Sequence, residues 1–357
     1  MENQKIAILY QAKPSPVLGG VQKPMKLGGY SDSGADIAYE LYKNGKKIIV
    51  PSDNPDLNKD LDWVFPDTHE GIQNAIDKGV NTLWLNTVLY KNHVIEQFFH
   101  QDIKIVGQFP SQVDIHDDKF YTNELLRKNR IPIPKTELIH IEDVKGVTLS
   151  IDFPLVLKPL RGRGSQGVAL VKSKEALDNH LNAIFASKKY GNSVYVEQFL
   201  NGQEITVTVM PAGEYKIDDQ IKTYEKPWPL PAVKRFNHHD GIAPYSGVVA
   251  VTENSQVLDE DELYSPPILE VYKHCEKAAE LINIKAPIRI DCRADDNWKY
   301  FLFDVNMKPN MTGPSRPHRQ NQDSLSLLAA RKIGWNYHNL LENILLQAWE
   351  PKQLFDW

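Results

Sequence analysis

Apolar positions along the first hundred residues follow two alternating spacings. Short apolar runs fall at 5–10, 47–50, 62–65 and 82–85, each of strand length. Between them, 33–44 and 68–78 carry apolar residues at helical spacing. In the first, Ile37, Ala38 and Leu41 share a face, Ser31-Asp32-Ser33 opens the helix, and Gly45 stands where a C-cap belongs. Strand and helix in alternation predict a parallel sheet with crossover helices. The stretch 11–30 breaks the rhythm: with three Pro and four Gly it predicts a loop long enough to require a functional reason.

Beyond Gly107 the pattern changes. A helix is predicted over 117–129, stopped by Pro132 and Pro134; strands follow over 153–158 and 168–171, a helix over 174–188, and strands over 194–199 and 204–210. The remainder predicts antiparallel strands, a Pro-rich loop over 225–244, a helix near 266–283, strands over 287–293 and 299–306, and closing helices near 323–333 and 337–349. No internal repeat is visible in this order.

Composition adds exclusions. With 41% hydrophobic and 24% charged residues among 357, the chain is neither collagen-like nor low-complexity nor wholly disordered. A net charge of −5 gives no nucleic-acid footprint. The two cysteines, Cys275 and Cys292, have no zinc-binding spacing and are expected as buried thiols of a reducing compartment. The opening Met-Glu-Asn-Gln-Lys does not resemble a signal peptide, and apolar runs stop at four to six residues, against about 20 for a spanning helix. A cytoplasmic protein without membrane or nucleic-acid partners is expected.

Two constellations carry candidate chemistry. Gly162-Arg163-Gly164-Ser165-Gln166-Gly167 matches the GxGxxG pattern of dinucleotide-binding proteins. That motif needs a helix directly after it to hold the pyrophosphate, whereas Val168-Ala169-Leu170-Val171 leaves as a strand. A glycine-rich flap over nucleotide phosphates is the stronger reading, with a plain hairpin and a dinucleotide site as alternatives. Lys158, Arg161 and Arg163 surround the turn, whose backbone N–H groups suit anionic oxygens. Further on, Arg289-Ile290-Asp291 and Asp304-Val305-Asn306 lie on two strands joined by Asp295-Asp296-Asn297. Strand periodicity puts Arg289 with Asp291, and Asp304 with Asn306, on common faces. Converging Asp and Asn oxygens suit Mg²⁺ shared with phosphates; an Arg289–Asp304 ion pair is the structural alternative.

In this order, over about residues 115–316, the pieces resemble the ATP-grasp superfamily, most of all its D-alanine–D-alanine ligase branch. Asp118-Lys119 before a helix and Ile131-Pro132-Ile133-Pro134 is similar to the family's Asp-Lys segment, and Phe153-Pro154-Leu155-Val156-Leu157-Lys158-Pro159 to its second-lysine strand. The resemblance implies that Lys119 and Lys158 contact ATP phosphates under a flap including Arg163, Gly164, Ser165 and Gly167. Val196 to Glu204 resembles the adenine hinge, which would bring Glu197, Gln198 and Leu200 to adenine and Glu204 to the ribose. Arg-Ile-Asp, Asp-Val-Asn and Pro309-Asn310-Met311-Thr312 are similar to the family's Arg-x-Asp, Glu-x-Asn and Pro-Gly-Met-Thr. On that mapping Asp291, Asp304 and Asn306 hold two Mg²⁺ ions, for which Mn²⁺ can substitute, and Arg289 with the Asn310 N–H stabilises an oxyanion. Lys158, Ser165, Arg289 and Asn310 form the implied catalytic set.

The implied fold is α/β, α+β in the ATP-binding part: an ATP-grasp fold behind an N-terminal parallel-sheet domain, with units at 1–112, 113–209 and 210–357. The implied activity is ADP-forming ligation of a carboxylate to an amine, both small and amino-acid-like, through an acylphosphate, and the implied assembly is a homodimer. A kinase on the same fold and a silent ATP-binding module are the rival readings. One departure affects the substrate. The family's first-substrate Glu has no counterpart in 19–34, where Lys23 and Lys26 stand instead, so a more anionic or differently shaped first substrate than D-alanine is expected. Lys234 and Arg235, in the 225–244 loop, are expected to reach the γ-phosphate or a substrate carboxylate. Adjacent His238-His239-Asp240 diverge on an extended chain and do not suit a metal. Arg316 and Arg319 are candidates for the acceptor's carboxylate by bidentate pairing, with solvated surface as the alternative.

Overall fold

A computed structural model describes residues 4–162, 164–218, 220–238 and 251–353. The first unit runs β1 (Lys5–Tyr10), α1 (Ser31–Lys43), β2 (Lys47–Ile48), β3 (Phe65–Pro66), α2 (His69–Asp77), β4 (Thr82–Asn86) and β5 (Lys104–Val106). Its sheet is parallel throughout, in the order β2-β1-β4-β5 with β3 also on β1. Strand periodicity explains why both faces are covered. Ile6 and Ile8 join Ile37, Ala38 and Leu41 of α1 in one core, while Ala7 and Leu9 join Ile72 and Ala75 of α2 in another.

The second unit comprises α3 (Pro110–His116), α4 (Lys119–Lys128), β6 (Thr136–His140), β7 (Leu155–Pro159), β8 (Ala169–Val171), α5 (Lys174–Ala186) and β9 (Ser193–Gln198). Its antiparallel sheet, β6-β9-β7-β8, buries Leu155, Leu157, Val194 and Val196 against Leu177 and Leu181 of α5 in a core of its own. The helices ahead of that sheet pack elsewhere: Val113 of α3 and Leu126 of α4 belong to a core shared with the first and third units.

The third unit contains β10 (Glu204–Met210), β11 (Gly213–Ile217), β12 (Gln220–Tyr224), β13 (Trp228–Pro229), β14 (Val233–Arg235), α6 (Val251–Asn254), β15 (Ser255–Val257), α7 (Glu260–Leu263), α8 (Pro266–Ile282), β16 (Ile288–Ala294), β17 (Tyr300–Asn306), α9 (Leu325–Lys332) and α10 (Tyr337–Leu345). Its sheet is β15-β14-β10-β16-β17, with β13 also on β10, and β11-β12 form a separate hairpin. Ile205, Val207, Ile290 and Cys292 cover Val271, Cys275 and Ala279 of α8. Cys275 and Cys292 are buried free thiols, their sulfurs 3.8 Å apart.

Three expectations are corrected. Strand β10 pairs with β14 and β16, so the second unit ends ahead of Glu204 instead of at 209. The 225–244 segment is partly strand, because β13 and β14 extend the third sheet; residues 239–250, with His239 and Asp240, lie outside the described residues. The last helix stops at Leu345, after which Trp349 exchanges backbone hydrogen bonds of 2.8 and 2.9 Å with Ile105 and ties the C-terminal segment to the first sheet. Among the described residues no helix is long and apolar enough to cross a membrane.

Candidate active site

Residues directly opposite in antiparallel strands share a face. In the third sheet Glu204 lies opposite Arg235 and Arg293, Thr206 opposite Asp291, Asp291 opposite Asp304, and Arg289 opposite Asn306. These polar residues therefore gather on the face away from α8. A register irregularity between Asp291 and Cys292 accommodates the extra residue Phe303. In the second sheet Val156 lies opposite Glu197 and Lys158 opposite Tyr195, on the face away from α5. The polar faces meet: the Lys158 ammonium sits 4.6 Å from the centre of the Phe303 ring, and the Leu302 N–H donates to the Pro132 carbonyl at 3.0 Å.

Ion pairs line this cleft. Lys119, the first residue of α4 behind the capping carboxylate of Asp118, donates to Asp304 Oδ1. Lys158 donates to Glu197 Oε1 at 2.6 Å. Arg289 grips its strand neighbour Asp291 in a fork at 3.2 and 3.3 Å, and Thr206 Oγ1 donates to Asp291 Oδ1 at 2.7 Å. Burial opposes the charge on Lys119, but Asp304, aided by Asp117 and Asp291, outweighs it and raises the ammonium's pKa. Asp304 mirrors this: burial favours its neutral form, yet Lys119, Lys158 and Arg289 together hold it below the usual carboxylate range. At Glu197 burial wins, and its pKa is raised despite Lys158. Three buried polar atoms here, Tyr195 Oη, Glu197 Oε2 and Arg235 Nε, have no hydrogen-bond partner among the described residues, the kind of deficit that a polar ligand relieves.

Most of the expected residues converge. Lys119, Lys158, Glu197, Glu204, Arg235, Arg289, Asp291, Asp304 and Asn306 line the two facing surfaces. Glu204 accepts from His238 Nε2 at 2.9 Å and pairs with Arg293 at 3.6 Å. The Gln198 N–H donates to the Lys135 carbonyl, and Leu200 is buried beyond the strand end. Gly164, Ser165 and Gly167 sit in a turn between β7 and β8, each at positive φ, closed by a bond from the Val168 N–H to the Ser165 carbonyl. No helix leaves this turn, which removes the dinucleotide alternative. Arg163 lies outside the described residues. Asn310 Oδ1 accepts from the Thr312 N–H at 3.3 Å, and Asn306 Oδ1 from the Lys308 N–H at 3.0 Å.

Other expected residues are committed elsewhere. Lys23 pairs with Asp117, beside which Arg161 meets Asp114 at 3.1 Å, so both lysine and arginine brace α3. Lys26 pairs with Asp32 at 2.8 Å. Lys234 lies one residue from Arg235 and so on the opposite face of β14, toward Glu262 at 3.5 Å. The Arg289–Asp304 ion pair does not form, since each has a nearer partner. Arg316 is fully buried, its guanidinium bound to Asp36 Oδ1 at 3.1 Å, Asp60 Oδ1 at 2.7 Å and the Asp32 carbonyl. Arg319 also reaches Asp36, at 2.8 Å. Neither arginine is left to hold a substrate carboxylate; both tie the segment after the Asn310 loop to α1.

Sequence reasoning missed Thr206, although its alternation with Glu204 on one strand was a usable signal. It also missed Asp36, a fully buried acid in α1, and Lys308, a spacer between two motif residues. The Lys308 ammonium donates to Asn86 Oδ1 at 3.2 Å and lies 3.6 Å from the centre of the Tyr30 ring.

The family described as D-ala D-ala ligase C-terminus matches residues 131–346. The D-alanine–D-alanine ligase of Francisella philomiragia subsp. philomiragia is 27% identical over 246 residues, which is 69% of this chain and 72% of that protein. That of Francisella tularensis subsp. novicida is 27% identical over 231 residues, 65% and 67% of the two chains. Among solved structures, D-alanine–D-alanine ligase from Bacillus anthracis complexed with ATP superposes with a TM-score of 0.62 over 98% of both chains at 17% identity. The VanG D-Ala:D-Ser ligase from Enterococcus faecalis gives 0.61 over 97% of this chain and 99% of its own at 15% identity. At these identities the structural likeness is one of fold. The matched family covers the facing polar surfaces apart from Lys119, and the chain belongs to the D-alanine–D-alanine ligase family of ATP-grasp proteins, ADP-forming carbon–nitrogen ligases.

Proposed function

We propose that this ligase joins two small substrates, an amino-acid-like carboxylate and an amine, through an acylphosphate. The observation that carries the reading is the meeting of Lys119 and Lys158 with Asp291, Asp304 and Asn306 across one cleft. A carboxylate is a poor electrophile because its leaving group would be oxide. Transfer of the ATP γ-phosphoryl group to one carboxylate oxygen turns that oxygen into part of a phosphate leaving group. The amine then attacks the carbonyl carbon, phosphate departs with the carbon–oxygen electron pair, and the nitrogen loses a proton.

In this reading Lys119 and Lys158 exchange their carboxylate partners for phosphate oxygens, supplying preorganised positive charge as it is needed. Glu197, Gln198 and Leu200 face the adenine, Glu204 the ribose, and Ser165 with its glycines covers the phosphates. Asp291, Asp304 and Asn306 supply three hard oxygens. Among the described residues no three His, Cys, Asp or Glu side chains are grouped to hold a metal ion, and Mg²⁺ characteristically takes one or two carboxylates and completes its shell with phosphate and water. The donor set fits that ion, which when bound neutralises phosphate charge. Arg289, with the Asn310 N–H, faces the oxyanion formed by amine attack, and Arg235 completes the positive wall.

Phosphate release screened over pairs of carboxylates and amines, with mass spectrometry of the products, tests the reading. The expected result is ATP-dependent phosphate release only with both partners present and a product whose mass is their sum less water. A phosphorylated product without an amide supports the kinase reading instead.

A further inference from the structure

Tyr195 lies in the middle of β9, directly opposite Leu138 on β6 and Lys158 on β7. Strands on both sides fix its backbone, and its ring centre is 6.0 Å from that of Phe120 on α4. The side chain is fully buried, yet its hydroxyl has no hydrogen-bond partner among the described residues. A buried hydroxyl left without a bond costs stability, and phenylalanine would fill the same space without that cost. Among the described residues, nothing in the fold uses this oxygen.

A second deficit lies beside it. Glu197, two residues on, shares the face of Tyr195. Lys158 donates to its Oε1 at 2.6 Å, while Oε2 is buried with no partner among the described residues. Burial first, and then the charges of Glu197, Asp304 and Asp118, push the Tyr195 hydroxyl well above the usual phenol range, so it keeps its proton and can donate. Asp304 belongs to the third unit, which sets the hydroxyl between the two polar surfaces. An unpaired donor and an unpaired acceptor on alternate positions of one strand suit a ligand edge with an acceptor beside a donor. Adenine presents that pair, N7 next to the N6 amino group, whereas guanine presents two acceptors there.

We infer that the Tyr195 hydroxyl donates to adenine N7 while Glu197 Oε2 accepts from the N6 amino group, which makes Tyr195 a base-recognition residue of the nucleotide site. The assignment rests on the adenine placement of the ligase reading. It also fits the exchange made by Lys158: a Glu197 carboxylate bound to the base keeps a partner when the ammonium turns to the phosphates, and a buried carboxylate without one would be costly. Both ends of the contact are rigid, since a tyrosine in a central strand has few rotamers to lose on binding.

Calorimetric titration of the full chain with Mg²⁺ compares ADP with 7-deaza-ADP, in which a C–H replaces N7. The expected result is ADP binding roughly three- to tenfold tighter, the usual worth of one neutral hydrogen bond, and a ratio near one in Tyr195→Phe through loss of ADP affinity alone. Because the hydroxyl has no bond to lose in the nucleotide-free protein, the denaturation midpoint of Tyr195→Phe without nucleotide should equal or exceed that of the unaltered chain. A structural role would lower that midpoint and leave the ratio as it was. Equal affinities in the unaltered protein, a ratio that persists in Tyr195→Phe, which would give N7 to Lys158, or a lowered midpoint overturns the assignment. Each of these failures leaves the ligase reading intact, whereas absence of ADP binding would remove both.

Discussion

Arg289→Ala is expected to lower turnover about 10²–10³-fold, the usual cost of removing one donor to a developing oxyanion, while the KM for ATP changes little. The geometry explains the split. Arg289 lies opposite Asn306 and shares a face with Asp291, but the residues proposed for the nucleotide, Lys119, Lys158 and Glu197, belong to other elements and keep their own partners. Asp291 retains its bond from Thr206 at 2.7 Å in the variant, so the local fold survives. Steady-state kinetics with the donor and acceptor found by screening, alongside direct ATP binding, checks this. Turnover within about threefold of the unaltered enzyme would remove Arg289 from the oxyanion role, and a matching loss of ATP affinity would assign it to the nucleotide.

The largest stability effect is expected at Asp36. Its carboxylate, fully buried in α1, accepts from Thr312 Oγ1 at 2.7 Å, Ser315 Oγ at 2.8 Å, and the guanidinium groups of Arg316 and Arg319. Asp36→Ala removes the acceptor shared by two cations, one of them with no exposure to water. Breaking a buried pair from one side costs about 3–5 kcal/mol, a large part of the roughly 5–15 kcal/mol that holds a typical domain together. Denaturant titration should show a lower midpoint, with Asp36→Asn intermediate because it keeps one of the two oxygens that the Thr312 and Ser315 hydroxyls use separately. A loss under about 1 kcal/mol would mean that Asp60 and backbone carbonyls suffice for Arg316. Because Thr312 follows Asn310 by two residues, turnover should fall as well.

The limits of sequence reading follow from which features are local. Arg-x-Asp on one strand imposes a shared face through the two-residue repeat, and the Arg289–Asp291 fork confirms that placement. The lysine at the end of β7 and the glycine hairpin after it are equally local. Pairings across the chain are not: Lys119 meets Asp304 over 185 positions and Arg316 meets Asp36 over 280. In sequence Arg316 is an arginine beside the Pro309–Thr312 motif, and only its complete burial shows that it is structural. Lys234 and Arg235 look equivalent as neighbours, and the register of β14 with β10 decides which one faces the cleft. Strand β10 was legible as a strand, but its length and apolarity carry no information about which sheet it joins.

The central claim, activation of a carboxylate by phosphorylation before amide formation, is tested most directly by oxygen tracing. A donor labelled with ¹⁸O in the reacting carboxylate, turned over with ATP and its amine, is followed by mass spectrometry of the phosphate released. The account predicts one ¹⁸O per phosphate at full labelling, carried from the donor when the acylphosphate is displaced. Unlabelled phosphate accompanying amide product would contradict it.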